Sequence, residues 1–169
     1  MLIQQNVDGS DFFNRSWAEF KVGFDSTNGN YWFGNDRLSQ LTQSGPYKLR
    51  FDLQSRRNSS WFWAEYSRVI VFGESSNYTL QVSGFSSNIG GDPFGSRSQN
   101  GLMFSTYDRD NDESAIDYID DNCALLIGGG FWYSWCGRGR VNGVRGDGER
   151  ENFSWYSTNL RTSRMWLTC

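Results

Sequence analysis

Residues 47–53 read Tyr-Lys-Leu-Arg-Phe-Asp-Leu. Tyr47, Leu49, Phe51 and Leu53 alternate with Lys48, Arg50 and Asp52, the period-two pattern of a strand with one buried face. Downstream, Arg56-Arg57-Asn58-Ser59-Ser60 is a turn-type cluster, and it precedes two more strand-like runs, Trp61 to Tyr66 and Val69 to Phe72. After Gly73-Glu74-Ser75-Ser76-Asn77, the residues Tyr78, Leu80 and Val82 alternate with Thr79, Gln81 and Ser83. Upstream, Gly45-Pro46 would stop a short helix capped by Asn35-Asp36 and carrying Leu38 and Leu41. Ser16 to Phe24 predicts another helix: Ser16-Trp17-Ala18-Glu19 is a capping-box pattern, with Trp17, Phe20 and Phe24 at helical spacing. This order of elements predicts an α+β domain, an antiparallel sheet with helices to one side. From about Ser86 onward Gly, Ser, Asn and Asp dominate, and no run keeps either period for long.

Composition narrows the function. The 169 residues suffice for one domain with a real core. Sixteen basic and nineteen acidic side chains leave a net charge of −3, which argues against a nucleic-acid partner needing a basic face. No apolar stretch approaches the length of a membrane span. The start, Met1-Leu2-Ile3-Gln4, shows no charged region followed by an apolar run, so an export signal is expected outside this sequence. Histidine is absent, which removes the commonest general base and the commonest zinc ligand. No Ser-His or Cys-His pair can form, and Gly128-Gly129-Gly130 lacks the Lys and the spacing of a phosphate loop. That triplet reads as a tight turn before Phe131, and an enzyme is not expected.

Three cysteines allow at most one internal pair. Cys123 and Cys136 bracket a glycine-rich aromatic segment; they could close a short loop or remain two buried thiols. Cys169, the last residue, has no evident partner. Four Asn-X-Ser/Thr sequons occur, at Asn14, Asn58, Asn77 and Asn152, in keeping with a secreted protein.

The sharpest local signal is Asp108-Arg109-Asp110-Asn111-Asp112-Glu113-Ser114. Alternating aspartates bring several hard oxygens near one point, which suits calcium. From Asp108 to Asp121 there are seven acids and one Arg. An EF-hand needs Gly at the sixth loop position and Glu at the twelfth; here those are Glu113 and Ile119, so that reading fails. A solvated acidic loop without an ion accounts for the local pattern equally well.

Longer ordered matches then emerge. Asp8-Gly9-Ser10 runs into Phe13-Asn14-Arg15, Trp17, Phe20-Lys21 and Gly23-Phe24. Tyr31-Trp32, Gly34-Asn35-Asp36, Tyr47, Leu49-Arg50 and Asp52-Leu53 follow, and later Asn100-Gly101 and Phe104-Ser105-Thr106. Asn122-Cys123-Ala124, Gly129-Gly130-Phe131-Trp132-Tyr133, Cys136 and Asn142-Gly143 complete the set. In these residues the sequence resembles the fibrinogen-related domain family, the carboxy-terminal globe of fibrinogen chains, ficolins, tachylectins, tenascins and angiopoietins. The resemblance implies a sheet and helix part over about residues 1–85 and a loop-rich part carrying the sites over about 86–169. It implies one calcium ion with side-chain ligands Asp110 and Asp112 and a backbone carbonyl at Ser114, a structural role for Asp108, and a Cys123–Cys136 disulfide. It also implies a cis peptide at Asn122–Cys123. In sugar-binding members the amide of that cysteine helps receive an acetyl group beside an aromatic pocket. Carried onto this sequence, the ligand residues are Asn122, Cys123 and Gly137, with Trp155 and Tyr156 as aromatic walls or as core packing.

The match has departures. The family's opening strand and first cysteine pair are missing, so the domain reads as amino-terminally incomplete. The acidic loop carries an insertion between Ser114 and Asp121. Gly137 stands where many members have His, and the segment from Arg138 to Asn159 is shorter, without the family's Tyr-rich stretch. Two functions follow. One is an extracellular, calcium-dependent module that binds acetylated or other surface glycans in innate defence, with avidity from assembly in the full-length protein. The other is adhesion or signalling through a cell-surface or matrix protein, for which Arg145-Gly146-Asp147 resembles the integrin-recognition motif.

Overall fold

A computed structural model describes residues 1–94, 100–112, 122–133, 136–146 and 151–169. Its elements in sequence order are β1 (Leu2–Asn6), α1 (Trp17–Val22), β2 (Phe24–Asp25), β3 (Tyr31–Trp32), α2 (Asn35–Ser44), β4 (Tyr47–Ser55), β5 (Trp61–Val71) and β6 (Leu80–Ser87). They continue with β7 (Asn100–Leu102), β8 (Phe104–Ser105), α3 (Cys123–Ile127), β9 (Phe131–Trp132), β10 (Gly139–Arg140), β11 (Ser154–Trp155) and β12 (Thr158–Thr168). The predicted α+β class holds: an antiparallel sheet runs β2-β3-β1-β12-β4-β5-β6-β7, with short helices beside it.

The strand at residues 47–53 behaves as its alternation predicts. Leu49, Phe51 and Leu53 are buried, while Lys48 is exposed and Arg50 and Asp52 lie on the outer face, where Arg50 sits over Trp63. Helix α1 begins with the expected box. The Ser16 hydroxyl accepts Glu19 N–H, and Glu19 Oε2 accepts Ser16 N–H at 2.9 Å, so two otherwise orphaned donors are satisfied. Helix α2 starts one residue earlier than its Asn35 cap suggests, because Gly34 takes the capping position. It is stapled to the sheet through Thr42, whose hydroxyl oxygen accepts Val71 N–H at 2.9 Å. The two runs read as separate strands, Trp61 to Tyr66 and Val69 to Phe72, form the single strand β5, which ends at Val71 and leaves Phe72 outside. Tyr78 falls outside β6, with φ +48, and its hydroxyl donates to Asp36.

The largest correction concerns the carboxy-terminal third. Strand β12 is eleven residues long and lies between β1 and β4, in the interior of the sheet. The division at about residue 85 is therefore crossed by the polypeptide itself. A bulge between Leu160 and Thr162 breaks the alternation, and Thr162 and Ser163 are polar yet buried, so the period-two signal of Leu160, Met165 and Leu167 is masked. The buried hydroxyl is satisfied. Gln4 Nε2 donates to Ser163 Oγ (3.1 Å) and Asn142 Oδ1 (2.9 Å), and Asn142 Nδ2 donates to Gly130 O (2.9 Å). This polar seam ties the first strand to the loops after residue 128.

Aromatic rings fill the space between the two parts. Phe104 lies 5.1 Å from Phe20, 5.7 Å from Trp32 and 4.9 Å from Trp132, centroid to centroid. Such tilted and edge-on pairs suit rings with negative faces and positive edges.

Two carboxylates brace the helices and set an acid limit on stability. Glu74 accepts from Lys21 Nζ and from Trp17 Nε1, and these bonds hold its carboxyl below the ordinary 4.5. Glu19 is lowered in the same direction, chiefly by the Ser16 backbone N–H and then by Arg15. A depressed folded-state pKa contributes stability above the unfolded value and loses it as pH falls through the folded one. Thermal midpoints recorded on acidification should begin to drop near pH 4.5. Glu74→Gln should flatten that slope; an unchanged slope would show that these bonds do not couple to folding.

Candidate functional site

The acidic loop is fastened at its start. Asp108 Oδ1 accepts Trp17 N–H (2.9 Å) and the Thr106 hydroxyl (2.7 Å), which gives Asp108 the structural position expected of it. The Arg109 guanidinium lies 4.1 Å from the Trp17 ring centroid, and its Nη2 donates to Asn77 Oδ1 at 2.7 Å. Asn111 clamps the next turn: its N–H donates to Ser105 Oγ (2.9 Å) and its Nδ2 to Phe104 O (2.8 Å).

Asp110 and Asp112 follow from this frame. Asp110 is exposed, and its Oδ1 accepts Asp112 N–H at 3.1 Å. Asp112 is half-buried, and its Oδ2 accepts Cys123 N–H at 2.9 Å. The acidic loop and the disulfide loop are thus joined by a charge-assisted hydrogen bond, stronger than a neutral one. Ser114 lies outside the described residues.

Cys123 and Cys136 are bonded to each other across thirteen residues, as the resemblance implies; Cys169 is exposed and free. One Asp112 carboxylate oxygen lies within 4.8 Å of both sulfurs. Joined sulfurs offer no thiolate, so any cation here would be held by oxygen, a donor set that suits calcium and not zinc.

Asn122 has a role that its sequence position hints at, an Asn just before a short apolar run. It caps α3, with Oδ1 accepting Leu125 N–H at 3.0 Å, while its Nδ2 donates to Thr106 O (2.9 Å) and Tyr107 O (3.2 Å). One side group therefore spans both loops. No peptide bond among the described residues is cis, which corrects the expectation for Asn122–Cys123. In trans, the Asn122 carbonyl accepts Leu126 N–H at 3.0 Å and opens the helix. Gly128 ends α3 in the left-handed region, and a Cβ on Gly129 would stand 2.1 Å from Asn142 O. The glycine triplet is a close-packed turn, as read.

The candidate pocket residues divide. Gly137 is half-buried beside the disulfide, and Arg138 O accepts Tyr156 N–H at 2.7 Å, which brings Tyr156 alongside. The half-buried Tyr156 donates its hydroxyl to Asp92 O (2.9 Å), with the Arg138 guanidinium over its ring at 5.2 Å. Trp155 is corrected as a pocket residue and takes the core-packing alternative: it is 0 % exposed and its ring lies 4.9 Å from Phe51 of β4. It is a core residue and not a pocket wall.

Arg145-Gly146 is held to the fold. Arg145 is half-buried; its N–H donates to Gly9 O at 2.7 Å and its Nη2 to Arg161 O at 3.3 Å. Gly146 N–H donates to Glu151 Oε1 at 3.2 Å. Asp147 lies outside the described residues.

Among the described residues no helix is long and apolar enough to cross a membrane. Comparison with known proteins places the sequence in a family. The family model for the C-terminal globular domain of fibrinogen beta and gamma chains matches residues 1–166. Human ficolin-3 is 36 % identical over 143 residues, covering 85 % of this chain and 45 % of its own length. Mouse tenascin is 38 % identical over 157 residues, covering 92 % of this chain and 7 % of its own. The sequence thus spans less than half the length of these relatives. The solved fibrinogen-like globe domain of human ANGPTL2 superposes with a TM-score of 0.81 at 32 % identity, over 99 % of this chain and 78 % of that one. Fibrinogen-like globes are recognition modules without enzymatic activity, and this domain is one of them. With its sheet order, its disulfide and its match over almost the whole length, the chain belongs to the family of the fibrinogen C-terminal globular domain.

Proposed function

We propose that this domain is an extracellular recognition module that binds acetylated or related surface glycans on a fold completed by one calcium ion. The bond from Cys123 N–H to Asp112 Oδ2 carries the reading, because it makes the acidic loop and the disulfide loop one unit. Asp110 and Asp112 would hold the ion, with Ser114 as the first backbone ligand. Seven acids against one Arg between Asp108 and Asp121 repel one another, and a divalent counter-ion relieves that repulsion. The affinity belongs to the extracellular class, about 10⁻⁴ to 10⁻³ M.

An acetyl carbonyl needs a donor, and Cys123 N–H is one. An acetyl oxygen would share that N–H with Asp112 Oδ2, so the bond between the two loops would persist with ligand and ion in place. Asn122 and Gly137 flank the donor, and Tyr156 supplies an aromatic surface with a polar tip. The similarity to ficolin-3 supports this reading. A disulfide suits an oxidising extracellular compartment. Avidity would come from assembly in the full-length protein.

Retention on acetylated resin tests the proposal. In calcium the domain should be retained and chelator should release it; Asp112→Asn should weaken retention by about tenfold or more, roughly 1.4 kcal/mol. Equal retention of this domain and an unrelated control, with and without chelator, would count against it. The similarity to tenascin favours a second reading, recognition of a cell-surface or matrix protein. The anchored Arg145 gives an integrin route little support.

A further inference from the structure

The fold treats the four sequons differently. Asn152 is half-buried: its Nδ2, the atom that would carry a glycan, donates to Leu126 O at 3.2 Å, and its Oδ1 accepts from Arg140 Nη1 at 3.3 Å. Asn77 is half-buried in a left-handed turn, with Nδ2 against Met103 Sδ at 3.2 Å and Oδ1 accepting from Arg109. A sugar on either nitrogen would have to displace contacts that the folded protein makes. Asn14 is exposed, but Ser16, the hydroxyl residue of its sequon, is committed to the α1 capping box: its hydroxyl donates to Glu19 Oε2 at 2.9 Å and accepts Glu19 N–H.

Asn58 differs from all three. It stands in the turn between β4 and β5, within a run of six exposed residues, 56–61. Its Oδ1 accepts Ser60 N–H at 3.1 Å, so the amide and the hydroxyl residue of the sequon are folded toward each other in one exposed Asx turn. The turn is held from beneath: Ser59 N–H donates to Ser55 O (3.0 Å), and Gln54 Nε2 donates to Ser59 O (3.1 Å). A bulky, solubilising N-linked glycan needs such a surface turn, whose attachment nitrogen faces water and whose backbone stays in register when the sugar is added.

We infer that Asn58 is an N-glycosylation site of this domain, and that Asn152 stays bare. The inference rests on the extracellular reading. Its test therefore supplies a cleavable export leader, so that the outcome reports on the site and not on the protein's own address. The full sequence is secreted from cultured animal cells and treated with peptide N-glycosidase, and the Asn-to-Asp conversion is mapped by mass spectrometry. Conversion at Asn58 with unconverted Asn152 is the expected result. Asn58→Gln and, separately, Ser60→Ala should each remove the mobility shift of a single glycan; Ser60→Ala keeps the Asn58 side group and its turn. A secreted domain unconverted at Asn58, or converted at Asn152, overturns the inference.

Discussion

Phe104→Ala should lower the unfolding free energy by about 3–5 kcal/mol, the cost of a large aromatic removed from a packed core. For a domain of this size that is a fall of roughly 6–20 °C in melting temperature. The reason is position as much as size. Phe104 is fully buried and touches Phe20 and Trp32 from the first half of the sequence and Trp132 from the second. Dispersion contacts are small one by one and large in sum, and a cavity here would take them from several rings at once. Phe104→Leu refills most of the volume and should recover more than half of the loss. Both variants should melt in one transition by calorimetry, because β12 and the Gln4–Asn142–Ser163 seam also join the halves. Two resolved transitions in the parent would restore the division at about residue 85 as a real boundary.

That boundary shows where local reading stops. Residues 47–53 and the Ser16–Glu19 box were legible because their signals are local: a period of two, and two hydrogen bonds closed within four residues. Strand β12 was not, because its bulge and its buried Thr162 and Ser163 hide the period, and its partners β1 and β4 lie about a hundred residues or more away in sequence. Trp155 and Tyr156 make the same point within the candidate site. Adjacent aromatics carry no sequence mark of which one turns inward; Phe51 beneath Trp155 and the Asp92 carbonyl beside Tyr156 decide it. The cysteine pairing lay between two local readings, and the resemblance to relatives chose correctly. Asp110 and Asp112 stood out as oxygen donors, but the tie from Asp112 to Cys123 is a product of folding.

That tie yields the second large effect. Replacing both Cys123 and Cys136 by Ser should cost about 3 kcal/mol, from the freedom regained by a loop of thirteen residues in the unfolded state. The melting temperature should fall by roughly 6–12 °C. If calcium binds with the affinity proposed, a concentration near 100 times Kd adds about 2.7 kcal/mol to the parent. The two contributions should not add. Without the bridge, Cys123 N–H is held less firmly against Asp112, and the carboxylate that would hold the ion is less well placed. The calcium increment in the double-serine variant should therefore fall to less than about half that of the parent. Asp112→Asn should abolish the calcium increment while keeping the disulfide's contribution, since a covalent crosslink does not depend on the carboxylate. Thermal shifts of the parent and the two variants, each with calcium and with chelator, read all of these terms. An equal calcium increment with and without the bridge would mean that metal and disulfide act independently, and the proposal that the acidic loop and the disulfide loop work as one unit would have no basis.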